Sequence, residues 1–504
     1  MRGASGAAGQ ALAVGVFAFV LGVAGSWIPS FWYDEVASVY ASRRSLPDLI
    51  DLLRSTDIVH GAYYMGLHLW GEMFGFSEFS VRLPSAIAVG GAAAGVVVLA
   101  SRVSSGPVAL FSGILFALLP RVTWAAVEAR SYALTAAAVV WLTVLLLVSL
   151  QSRARWWWVL YSLVLAMSIV LFVYLATIVA VHFLILLLHK KFRSAMLWWS
   201  GAVAASLLAI FPFLLAVLRQ AGQVSWIPPL DGNLPRIVVE YQWFLGAPAF
   251  GIVFLVIVAA ALFVRSGTGT GRPWRDGIVP MSLAWIIVPM VFMASYSLVR
   301  APIYLDRYLT FTAPAVALLG GVALGRLAAL RWWLPYLALG ILAAALVPAY
   351  AEQRSQWAKP LQMDFSAAND FAASNVEPGD CVLFGKAAWN PSSQRLIEDV
   401  DPAAFTGTRR IGLAKDAAAT GQLWDEELPL GDLAQQLSTC DVVWYFTDRE
   451  RDEVENLRLS SNDKWALQPY DFEKSNDYAL LSASGFRIDE RVTFHVTQAV
   501  RLVR

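Results

Sequence analysis

Trp32-Tyr33-Asp34-Glu35 interrupts an otherwise oily N-terminus directly after the apolar run Ala11 to Pro29. That run is long enough to cross a hydrocarbon layer of roughly 30 Å. Two adjacent carboxylates at the mouth of a membrane helix are costly to desolvate, so they cap a surface helix or carry chemistry. The first 29 residues resemble a secretory signal, with Arg2 ahead of the apolar stretch, but no clear small-residue cleavage site precedes the aromatic cluster, and the run is expected to stay as a helix.

Outward from this stretch the chain remains apolar. Of 504 residues, 58% are hydrophobic and 15% charged, and the mean hydropathy is +0.57. That excludes an ordinary soluble globule. A formal net charge of +1 gives no argument for a nucleic-acid partner. Apolar runs follow at 83–100, 107–120, 133–150, 156–172, 177–188, 195–218, 251–264, 278–297, 308–325 and 332–350. Together with the first they predict a polytopic α-helical membrane protein of about eleven transmembrane helices.

The apolar stretch Gly61 to Gly75 is short and carries His68 and Glu72. Laid along the outer surface, it leaves Arg102, Arg153 with Arg155, Lys190-Lys191 with Arg193, Arg265 with Arg272 and Arg275, and Arg326 with Arg331 all on the cytoplasmic side. The N-terminus is then inside and the C-terminus outside. Before residue 351 the only lysines are Lys190 and Lys191, so the outer loops are basic through arginine alone. Asp276 stays inside, while Asp34, Glu35, Asp57, Glu128, Asp231, Glu240 and Asp306 face out. The working surface is the outer one, in the plasma membrane.

From about Ala351 the composition becomes that of a soluble domain. Phe365 to Ser374 reads as a helix, Glu377-Pro378-Gly379-Asp380 as a turn and Cys381 to Phe384 as a strand. Leu433 to Leu437 and Asp441 to Phe446 repeat that order, and Phe486 to Leu502 holds one or two strands. The expected domains are 1–350, with a first outer loop at 30–82, and a soluble α/β domain at 351–504. Cys381 and Cys440 begin the two matched strands, where an extracytoplasmic disulfide and two free thiols are both open.

Asp34 is the obvious general base, with Glu35 beside it holding a helix N-terminus or sharing its hydrogen-bond network. The turn Asp57-Ile58-Val59-His60-Gly61-Ala62-Tyr63-Tyr64 leads into an amphipathic segment that suits a headgroup, although tyrosines at an interface are ordinarily anchors. Glu128-Ala129-Arg130-Ser131-Tyr132 and Asp306-Arg307-Tyr308 add guanidiniums that bind phosphate oxygens bidentately. Taken singly, each arginine reads as a snorkelling residue or an ion pair, Glu128 with Arg130 and Asp306 with Arg307. Taken together they favour an anionic lipid headgroup.

The ordered set Trp32-Tyr33-Asp34-Glu35, His60-Gly61-Ala62-Tyr63-Tyr64, Leu67-His68-Leu69-Trp70, Ser77 to Ser85, Glu128 to Tyr132 and Asp306-Arg307-Tyr308 resembles the GT-C membrane glycosyltransferases. Within them it is most similar to the glycosyltransferase 39, or dolichyl-phosphate-mannose mannosyltransferase-like, group related to protein O-mannosyltransferases and aminoarabinose transferases. Related sequences read His-Pro-Pro where this chain has His60-Gly61-Ala62. The resemblance covers roughly residues 10 to 350. It implies a polyprenyl-phosphate-linked sugar donor, with mannose favoured by analogy. It also implies a glycan, glycolipid or secreted-protein acceptor, and a catalytic acid in the first outer loop, which is Asp34. Arg130 and Arg307 become phosphate ligands, and His60, Tyr63, Tyr64, Tyr132 and Tyr308 donor contacts. A divalent metal between Asp34 and the phosphate is compatible with these residues, although no ligand cluster demands it. The rival readings are a lipid-linked sugar flippase, which needs charges along a mid-membrane path where only His182 stands, and a non-catalytic envelope-assembly protein.

Overall fold

A computed structural model describes residues 2–188, 190–264, 277–386, 393–460 and 463–504. The basic-loop residues Arg265, Arg272 and Arg275 and the acid Asp276 lie outside the described residues, as do the side chains of Lys190 and Lys191. Every one of the eleven apolar runs is helical. Six helices are long and apolar enough to cross a membrane: Gly6–Val23, Glu78–Val103, Tyr132–Gln151, Ile278–Val299, Asp306–Leu330 and Leu334–Glu352. Phe192–Ala209 and Phe211–Arg219 form a pair bent by 55°, and four shorter apolar helices complete the set.

The described chain divides into two compact units that are not the contiguous halves expected from composition. One comprises Met1–Ser26, Ile58–Tyr63 and Arg82–Arg354; the other comprises Trp27–Asp57, Tyr64–Val81 and Ser355–Arg504. The expected loop at 30–82 is thus shared out, most of it to the unit that holds the soluble domain.

In the first unit, helices Gly106–Leu118 and Ala313–Leu330 pack most closely. A Cβ on Gly321 would stand 2.8 Å from the Ser112 nitrogen. Only glycine permits that approach, the device by which membrane helices gain contact where no hydrophobic drive exists. His182 is fully buried in this unit: its Nδ1 meets the Tyr161 hydroxyl at 2.7 Å and its Nε2 the Thr143 hydroxyl at 3.2 Å. The Trp199 indole donates to the same Tyr161 oxygen. The intramembrane histidine therefore has its polar atoms satisfied by neighbouring helices.

The second unit is built on a five-stranded mixed sheet, ordered Arg409–Arg410, Cys381–Phe384, Val442–Asp448, Thr497–Val503, Arg487–Thr493. The first three strands run parallel and the last two pairings are antiparallel. Strand Cys381–Phe384 is buried on both faces, as a central parallel strand requires. Gly379 in the preceding turn has φ +100°, a conformation that excludes most side chains. A disulfide joins Cys381 to Cys440 with the Cα atoms 5.9 Å apart. A hairpin, Glu455–Ser460 with Asp463–Leu467, lies outside the elements expected from the sequence.

Helix Tyr33–Arg43 belongs to this second unit. Asp34 and Glu35 in its first turn and Arg43 in its last complement the helix dipole. The preceding strand-like residues are stitched to the C-terminal segment: Ser30 donates its amide to the Gln356 carbonyl at 2.9 Å, and Phe31 donates its amide to the Ser366 hydroxyl at 3.0 Å.

Candidate functional site

In the first unit a basic patch meets an aromatic wall. His60 ends the 3-10 turn Ile58–His60, and Arg130 ends the turn between Pro120–Ala125 and Tyr132–Gln151. An Arg130 Nη2–H donates to His60 Nε2 at 3.0 Å. A guanidinium can only donate, so that imidazole nitrogen is the acceptor and the ring proton sits on Nδ1. Burial, then Arg130 and Arg307, hold His60 well below the usual histidine range, and it is neutral at physiological pH. Arg307 is itself buried, with its guanidinium carbon 5.5 Å from the centre of the Trp226 ring.

Tyr308 stands beside it in a stack of rings. Its centroid lies 5.6 Å from Tyr174, 5.6 Å from Phe172 and 6.4 Å from Tyr132, which continues to Trp124 at 5.5 Å. Tyr63 is buried in the same unit.

Asp306 has a counter-ion that adjacency did not suggest. It pairs with Arg121, both side chains nearly excluded from solvent. Arg121 also donates to the Tyr241 carbonyl at 2.6 Å and the Gln242 carbonyl at 3.1 Å, and it lies over the Trp124 ring. It thereby ties Asp306–Thr312, the segment carrying Arg307 and Tyr308, to two other stretches of chain. The sequence reading passed over Arg121; its one signal was a charge directly after the Leu118-Leu119-Pro120 end of an apolar run.

No protein-family model matches the chain, and no curated protein matches it by sequence. Among solved structures, the ArnT protein of Cupriavidus metallidurans bound to undecaprenyl phosphate superimposes with a TM-score of 0.59 at 14% identity, covering 97% of this chain and 98% of that one. Its apo state gives a TM-score of 0.57 at 14% identity, with 98% of each chain covered. The chain has the GT-C fold.

Within that fold the remaining predicted site residues lie in the second unit. Asp34 is half-buried in the first turn of Tyr33–Arg43, its carbonyl accepting from the Ser38 hydroxyl at 3.0 Å. Glu35 is fully buried and pairs with Lys359 at 3.4 Å, Lys359 being equally enclosed. The buried pair fixes the helix bearing Asp34 to the segment that carries Lys359. Tyr64 is likewise fully buried: its hydroxyl donates to Asp57 at 2.9 Å, and its carbonyl accepts from Ser42 at 3.1 Å. Asp57 has φ +56°, a left-handed backbone that aspartate tolerates better than most residues.

Proposed function

We propose that the protein is a membrane glycosyltransferase that moves a sugar, mannose favoured, from a polyprenyl-phosphate donor to an acceptor hydroxyl, with inversion at the anomeric carbon. The observation that carries the proposal is the set of buried Arg130 and Arg307 with half-buried, neutral His60 beside the Tyr308 stack, on a chain with the GT-C fold. ArnT, the solved neighbour, was crystallised with undecaprenyl phosphate. A phosphate oxygen accepts from guanidiniums in a low-dielectric setting more favourably than in water.

In this reading Asp34 takes the proton of the acceptor O–H as that oxygen forms its bond to the anomeric carbon. The bond from that carbon to the phosphate oxygen breaks, and the electron pair leaves with polyprenyl phosphate. Arg130 and Arg307 hold the departing anion, and Tyr132 and Tyr308 offer ring faces to the sugar. Tyr63 contributes a hydroxyl-bearing ring from the first turn of the helix Gly61–Phe74 that follows His60. General-base help supplies about 10² to 10⁴ in rate, with positioning and charge stabilisation supplying the rest. Among the described residues no group of three or more His, Cys, Asp or Glu side chains gathers to hold a metal ion. No step is routed through a divalent metal.

The proposal places the site on the outer face of a plasma membrane, with the N-terminus inside and the C-terminus outside. The flippase alternative loses its one mid-membrane group, because His182 is bonded to Tyr161 and Thr143. The test is Asp34→Asn in purified protein with a synthetic polyprenyl-phosphate sugar. Transfer should fall by about 10²-fold or more while donor binding persists; transfer at the wild-type rate would end the proposal.

A further inference from the structure

In the second unit, Arg44 follows helix Tyr33–Arg43 and is 7% exposed. Its Nη2 donates to the Gln422 carbonyl at 2.6 Å and the Leu423 carbonyl at 3.2 Å. Its Nε and Nη1 are buried and have no hydrogen-bond acceptor among the described residues. Asp399, at the end of helix Leu396–Val400, is also 7% exposed. Among the described residues its carboxylate forms no hydrogen bond and no ion pair, although Arg44, Arg395, Asp425 and Glu398 all act on it electrostatically.

The neighbouring charges are occupied. Glu398 pairs with Arg395 at 3.0 Å and with Arg410 at 2.8 Å, and Glu427 pairs with Arg395 at 2.5 Å. Asp401 takes Arg43 at 3.5 Å, and Asp425 accepts from the Tyr40 hydroxyl at 3.1 Å and the Ala417 amide at 2.7 Å. What is left is an enclosed donor and, beside it, a largely buried carboxyl without a hydrogen-bond partner among the described residues. Buried polar atoms are rarely left without partners, because each one costs its desolvation. Burial, with Asp425 and Glu398 adding to it, holds Asp399 well above the usual carboxylate range, so the group keeps its proton more readily and offers both a carbonyl acceptor and an O–H.

The rim is aromatic. Tyr40 stacks on Trp424 at 5.9 Å and 8°, Tyr33 lies 5.2 Å from the same indole, and the Trp424 Nε1–H donates to the Tyr33 hydroxyl at 2.8 Å. All three rings are half-buried. An ammonium group would satisfy Asp399 but be repelled by Arg44; a phosphate or carboxylate would do the reverse. A neutral group that donates and accepts satisfies both, and rings at the rim suit the C–H faces of a pyranose.

We propose that Arg44 and Asp399 form a subsite for adjacent hydroxyls of a neutral sugar, which makes the acceptor a carbohydrate. One O–H donates to Asp399 while an oxygen accepts from Arg44. The inference that this sugar is the acceptor rests on the transferase reading above; the binding itself does not.

Saturation-transfer NMR on the purified full-length protein in detergent, with mannotriose and a blocked neutral tripeptide as probes, tests it. Mannotriose should bind to the wild type and lose at least about tenfold in affinity in both Arg44→Gln and Asp399→Asn, the size expected for one charge-assisted hydrogen bond. The tripeptide should not bind. Asp399→Asn keeps the side-chain volume and removes no anchor of the loop at Gln422 and Leu423, so it decides the matter if Arg44→Gln fails to fold. Equal affinity in wild type and Asp399→Asn, absence of mannotriose binding, or preference for the tripeptide would overturn the subsite. Mannotriose binding that depends on Asp399 in a protein with no transferase activity would overturn the transferase reading alone.

Discussion

Buried guanidiniums are used differently in the two units. In the apolar unit they close backbone carbonyls. Arg354 donates to the Ala24 and Leu21 carbonyls just past and within the last turn of Arg2–Val23, and Arg326 donates to Ala261 in the last turn of Pro248–Phe263. Arg82 donates to Ser26 in the same way. In the sheet unit the buried ones mostly meet carboxylates, Arg395 with Glu427 and Glu398 and Arg451 with Asp448, while Arg44 donates to the Gln422 and Leu423 carbonyls. A helix end leaves four carbonyls without partners, and where water and acids are scarce a guanidinium satisfies them and keeps its charge. Arginine is therefore mainly structural mortar in one unit and mainly a counter-ion in the other. Arg121 does both, gripping two carbonyls and Asp306.

That double duty predicts the largest effect. Arg121→Met should cost about 3–5 kcal/mol by leaving Asp306 buried without its counter-ion. Arg121→Met with Asp306→Leu should recover much of the loss. Thermal unfolding in detergent reads both, and a single variant no worse than Arg326→Met would break the distinction. In the sheet unit, Cys381→Ser with Cys440→Ser should lower stability by about 2–4 kcal/mol, read by limited proteolysis of that unit. Arg326→Met, which removes a charge–carbonyl bond only, should cost about 1 kcal/mol.

The smallest effect is one of pH. The folded protein holds the Asp399 proton more tightly than the unfolded chain does, so Asp399 lowers stability as pH rises above the ordinary carboxylate range of about 4. Asp399→Asn should raise the melting temperature at pH 8 and leave it nearly unchanged at pH 4. A gain confined to the acid side would reverse the sign assigned to that carboxyl.

The helices were legible because spanning a bilayer demands apolar length, and each of the eleven runs is helical. The strands at Cys381–Phe384 and Val442–Asp448 were legible from turn residues before β-branched and aromatic runs. What escaped was long-range pairing. Glu35 meets Lys359 across 324 positions and Asp306 meets Arg121 across 185. Nothing local marks such pairs. The same limit hid the make-up of the sheet unit, since composition changes at residue 351 but the helix bearing Asp34 folds with the residues beyond it.

That interleaving has a consequence for biosynthesis. Tyr33–Arg43 emerges from the ribosome some three hundred residues before Lys359, Ser366 and Trp424, its partners within the unit. Through most of translation the early segment must wait, incomplete, with a carboxylate that has nowhere dry to go. A chain stopped at residue 350 would hold every apolar run yet leave that segment permanently unfinished, and it should be a target for membrane quality-control proteases.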